Sequence, residues 1–113
     1  MHESSIARQI LTAAIEQARV AGARHVSAVR GWVAETESLS ADSVAFHFEA
    51  CARGTLAEGA RLVLSVSRIE ARCGDCDLVY EPEHHVLLCP RCESTEAVLA
   101  REPGLGVESI EVE

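Results

Sequence analysis

At 113 residues, 48% hydrophobic and 25% charged, the chain has room for one domain plus a small module, and its composition favours folding over disorder. Ten basic residues against eighteen acidic ones leave a formal charge of -8, which argues against nucleic-acid phosphates and anionic lipid headgroups as partners. Every basic residue is Arg, and the absence of lysine excludes Schiff-base chemistry and a Lys-dependent phosphate loop. No apolar run approaches the ~20 residues of a membrane span, and no secretory segment is recognisable, so a cytoplasmic protein is expected.

From Ser4 to Ala21, the residues Ile6, Ile10, Ala14 and Ala18 recur four apart, with Leu11 and Ile15 widening the stripe. That period predicts an amphipathic helix, and Gly22 stands where its C-terminal cap belongs. Arg24 to Ala34 is Val-rich, carries Trp32 and lacks a helical stripe, so it reads as a strand. Ser38-Leu39-Ser40-Ala41-Asp42 offers N-caps for a second helix running to about Arg53. Val44, Phe48 and Cys51 would line its buried face, and Gly54 would end it. Across Ala60 to Ile69, Leu62, Leu64 and Val66 alternate with Val63, Ser65 and Ser67, which is strand periodicity.

The tail Gly106–Glu113 returns to alternation, with Ile110 and Val112 on one face. A strand so short needs a sheet to join, and the first half of the chain offers the nearest one. The fold expected is therefore α/β (α+β): a small mixed sheet packed with two helices, formed by residues 1–70 with 104–113. A zinc-ribbon-like four-cysteine domain, residues 71–103, is inserted into it.

Cys73-Gly74-Asp75-Cys76 and Cys89-Pro90-Arg91-Cys92 form C-x2-C-x12-C-x2-C, close to the spacing of zinc sites. Two residues between thiolates let one tight turn aim both sulfurs at one ion, and Gly74 and Pro90 suit such turns. Four thiolates leave no open coordination position, so the expected role is structural. Two disulfides or a pair of redox dithiols are the other readings of this spacing. From Arg72 to Pro103, three Arg stand against seven acidic residues, which argues against nucleic acid as a partner.

Met1-His2-Glu3 forms a second donor group. The Met1 amine, the His2 backbone nitrogen and the His2 imidazole can close adjacent chelate rings around a square-planar ion such as Ni(II) or Cu(II). The Glu3 carboxylate either adds a donor or simply favours a helix N-terminus. On the motif alone, a solvated terminus is the plainer reading. His84 and His85 read as a solvated pair on a ribbon loop, and Cys51 as a small core residue.

Met1-His2-Glu3 before an amphipathic helix resembles the HypA/HybF family of hydrogenase nickel-incorporation proteins. So do Phe46-His47-Phe48-Glu49, the run from Gly54 to Leu62, the paired C-x2-C motifs and Ser109-Ile110-Glu111-Val112-Glu113, all in order. One departure is Val33-Ala34, where the family usually has Gly at the second position. The resemblance implies a metallochaperone, not an enzyme. It would bind Ni2+ as transferred cargo at His2, with Met1 and Glu3 beside it, and hold structural Zn2+ at Cys73, Cys76, Cys89 and Cys92. Implied partners are a HypB-type GTPase and the [NiFe] hydrogenase large subunit, with no nucleic acid and no membrane. A monomer or weak homodimer is expected. The alternative is an acidic zinc-ribbon interaction module in a transcription or translation assembly.

Overall fold

The computed structural model describes residues 2–83 and 86–113. The sequence-selected Met1 and the pair His84 and His85 lie outside the described residues. In chain order the elements are α1 (Glu3–Val20), β1 (Val26–Glu35), α2 (Ala41–Ala52), β2 (Arg61–Arg68), β3 (Ala71–Cys73), β4 (Val79–Tyr80), β5 (Ala97–Leu99) and β6 (Gly104–Val112). They form two three-stranded sheets, ordered β2-β1-β6 and β4-β3-β5. The chain divides into two compact units: Met1–Val33, Leu39–Val66 and Leu105–Glu113 in one, Ala34–Ser38 and Ser67–Gly104 in the other.

In the first unit, α1 buries Ile6, Ala7, Ile10, Leu11, Ala14 and Ala18, the stripe legible in the sequence. Its C-terminal end closes as a Schellman motif. Gly22, at φ +69°, donates to the Arg19 carbonyl, and Ala23 donates to the Ala18 carbonyl. Helix α2 begins at Ser40, whose Oγ accepts the Ser43 N–H at 3.2 Å. Its fully buried residues are Val44, Phe48 and Ala52, while Cys51 is only partly buried at the rim of the same core.

The two helices pack on each other, and their apolar faces meet Val26, Val29 and Val33 of β1 and Leu62, Leu64 and Val66 of β2. From β6, Leu105, Val107 and Ile110 join this core, and Val112 is left largely in solvent. The core-facing positions change from odd to even between Val107 and Ile110. Alternation therefore shifts by one position within β6, ahead of Ile110 and Val112. Ala34 is buried within β1, so the residue replacing the family's usual Gly continues a strand rather than opening a turn.

The second unit has a much smaller core. Ala71, Cys73, Tyr80 and Cys89 are buried, with Cys76, Leu78, Leu87, Ala97 and Leu99 packed against them. Its sheet is antiparallel, with Ala71 opposite Tyr80 and Leu99, and Cys73 opposite Ala97. Arg68 ties its loops together by donating to the carbonyls of Thr36 and Pro82 and pairing with Glu81 at 2.8 Å. Three of the nine residues in that core are cysteines, so hydrocarbon is scarce in it.

Candidate metal centres

The second unit brings Cys73, Cys76, Cys89 and Cys92 together, with all four sulfurs within 4.8 Å of one another. The Cys73–Cys92 and Cys76–Cys89 sulfur pairs are each 3.5 Å apart, too far for a disulfide bond. Around an ion with metal–sulfur bonds of about 2.3 Å, tetrahedral geometry places sulfurs about 3.8 Å apart. The observed cluster brackets that spacing. A four-sulfur set of this size fits a single tetrahedral, thiophilic ion and leaves it no open position.

Each C-x2-C segment builds its turn in the same way. The Cys73 carbonyl accepts the Asp77 N–H, and the Cys73 N–H donates to the Leu78 carbonyl. In the second segment the Cys89 carbonyl accepts the Glu93 N–H, and the Cys89 N–H donates to the Ser94 carbonyl. In both, the residue after the second cysteine is left-handed: Asp77 and Glu93 each sit at φ +61°. Sequence reasoning missed these two positions, although each lies directly behind a C-x2-C motif. Gly74 matters for a different reason from the one its turn propensity suggests. A Cβ there would lie 3.3 Å from Glu96 Cβ, and its N–H donates to the Glu96 carbonyl at 2.8 Å.

The turns supply donors to the sulfurs. Asp75 and Cys76 N–H groups both reach Cys73 Sγ at 3.4 Å. The Leu78 N–H and the Arg91 guanidinium hold the Cys76 thiol down to about 6. The Ser94 N–H also pulls on the Cys92 thiol, but its sulfur neighbours and desolvation outweigh it and push that thiol up to about 12. Four sulfurs this close cannot all ionise without a cation among them. Two polar links join the turns: Ser94 Oγ donates to Asp75, and Arg91 donates to the Cys76 carbonyl at 2.7 Å.

In the first unit, His2 occupies the N-cap position of α1 in extended conformation (φ -81°, ψ 148°). Its carbonyl accepts the Ile6 N–H at 3.0 Å, and its exposed side chain makes no capping bond. The Glu3 carboxylate is engaged: Oε2 accepts the Ser40 N–H at 2.6 Å, joining the first turn of α1 to the N-cap residue of α2. This long-range bond could not be seen in the sequence, because thirty-seven positions separate the two residues.

The family model described as hydrogenase/urease nickel incorporation, metallochaperone, HypA matches residues 1–112. The hydrogenase maturation factor HypA of Klebsiella pneumoniae subsp. pneumoniae is 33% identical over 114 residues, covering 100% of both chains. That of Chlorobium limicola is 36% identical over 113 residues, covering 100% of this chain and 97% of the relative. The solution structure of the Ni metallochaperone HypA from Helicobacter pylori superposes with a TM-score of 0.59 at 21% identity, covering 99% of this chain and 97% of that one. At that identity the superposition speaks for the fold.

Proposed function

The chain belongs to the HypA family of hydrogenase/urease nickel-incorporation metallochaperones, and from that premise we propose that it carries Ni(II) on Met1, His2 and Glu3 for hydrogenase maturation. Zinc is the ion we assign to Cys73, Cys76, Cys89 and Cys92, as a structural centre. In this reading residues 1–70 with 104–113 make the nickel-binding domain and 71–103 the zinc domain. A HypB-type GTPase and the [NiFe] hydrogenase large subunit are the proposed partners, in the cytoplasm.

The observation that carries the nickel assignment is the state of His2. Its exposed imidazole makes no capping bond, and it stands directly before the first turn of a helix. Backbone N–H groups of a first turn have no intrahelical acceptor, so the amides nearest His2 can turn to a metal with no helical hydrogen bond lost. The Glu3 side chain is held by Ser40. Glu3 therefore contributes through its backbone, and its carboxylate positions the terminus.

Such a chelate suits transfer. Its donors sit on consecutive residues, with the His2 side chain exposed, and can be removed from the ion one at a time, whereas a closed four-sulfur centre offers an acceptor no entry. No helix among the described residues is long and apolar enough to cross a membrane.

Calorimetric nickel titration of zinc-loaded protein tests the assignment. His2→Ala and a chain with one extra residue before Met1 should both lose binding, with zinc content unchanged. Glu3→Gln should keep nickel stoichiometry while loosening the α1–α2 connection. Equal nickel binding in the first two variants and the parent would refute the N-terminal site. Loss of stoichiometry in Glu3→Gln would move the carboxylate into the coordination shell.

A further inference from the structure

Tyr80 carries a hydroxyl into the small core of the second unit. The residue is 9% exposed and packs in one cluster with Ala71, Cys73 and Cys89. Its Oη is fully buried and has no hydrogen-bond partner among the described residues. Phenylalanine would fill the same ring volume without that burden, and buried hydroxyls in native structures are nearly always paired. A hydroxyl buried in that position calls for an acceptor.

The sulfurs supply one. Of the two buried cysteines in this core, Cys73 already accepts the N–H groups of Asp75 and Cys76, each at 3.4 Å. Cys89 Sγ differs. Among the described residues it has no N–H or O–H donor and meets the Cys76 sulfur at 3.5 Å. A tyrosine hydroxyl can donate as well as accept.

Four thiolates around a divalent cation carry a net charge of two minus in a core with little water. Each donor that reaches a sulfur spreads that charge and holds the ligand in place. We propose that the Tyr80 hydroxyl donates to Cys89 in the zinc-loaded cluster, as a positioning residue that slows loss of the metal. This inference rests on the zinc reading of the four cysteines.

Tyr80→Phe removes one oxygen and leaves the ring. Zinc content per chain is measured first, then zinc release into excess chromophoric chelator and affinity by competition. Release should be about ten times faster in Tyr80→Phe, and affinity about 10- to 100-fold weaker, as when other outer donors of a metal centre are lost. In Co(II)-substituted protein, the sulfur-to-cobalt charge-transfer band should move to lower energy, because a sulfur that loses a hydrogen bond gives up electrons more readily. A purely structural hydroxyl predicts the reverse, with Phe retaining zinc as well or better and the band unmoved; that result would overturn the proposal alone. A parent protein that holds no zinc would overturn the zinc reading and this inference with it.

Discussion

Gly106→Ala tests how β6 lies on β1 in the first unit. A Cβ at Gly106 would stand 2.7 Å from Trp32 Nε1, 3.0 Å from Cε2 and 3.1 Å from Cζ2. The indole is rigid, so the whole ring must move. Gly106 is not among the glycines with positive φ, and its backbone accepts alanine. In the absence of a clash, Gly→Ala stabilises by roughly 0.4–1 kcal/mol through the unfolded chain, so the sign of the effect is set by Trp32.

That ring is 41% exposed and can swing outward rather than compress its neighbours. Returning its buried part, about 150 Å2, to water costs at most about 4 kcal/mol at ~25 cal/mol/Å2. The expected net loss is about 1–3 kcal/mol, or roughly 4–12 °C in Tm for a chain of this size. Trp32 is the only tryptophan, so its emission reports the ring directly and should shift to the red. Adding Trp32→Leu should recover most of the stability lost to Gly106→Ala. An unchanged or higher Tm with unmoved emission would refute the packing argument.

The two left-handed residues behind the cysteine turns give a second expectation. Glu93→Gly removes the Cβ penalty at φ +61° and should stabilise the zinc-loaded protein by about 1 kcal/mol, read as a higher denaturant midpoint. Asp77→Gly should give less, because aspartate tolerates that region better. Removing the metal gives the third. With excess chelator, amide exchange should accelerate in β3, β4 and β5 while α1 and α2 stay protected, because the second unit's core contains so few apolar side chains. Protection retained in β3–β5 would show that this core stands without metal.

Much of the local structure could be read from the chain. The i, i+4 stripe of α1, the serine cap of α2 and the period-two run of Leu62, Leu64 and Val66 are local signals, and each reappears as a buried face or a cap. The C-x2-C pairs were equally legible, because their geometry is dictated within four residues. The exchange of Cys51 for Ala52 on the inner face of α2 was not. Two adjacent helical positions differ by about 100°, and only the partner surface decides which of them is covered. In β6 the same applies, since the step from Val107 to Ile110 follows how the strand meets the helices.

The two helices, the strands β1, β2 and β6, the pairing of the four cysteines in two C-x2-C motifs and the acidic character that argues against nucleic-acid phosphates all follow from the chain alone. Those properties depend on composition and on spacings shorter than a turn or a hairpin. Tertiary packing was needed to establish that Glu3 serves Ser40, that Gly106 makes room for Trp32, and that the Tyr80 hydroxyl is buried without a partner among the described residues, in the core that holds Cys73 and Cys89. Each of these joins residues far apart in the chain. Their distances are set by how whole elements pack, which no local pattern encodes.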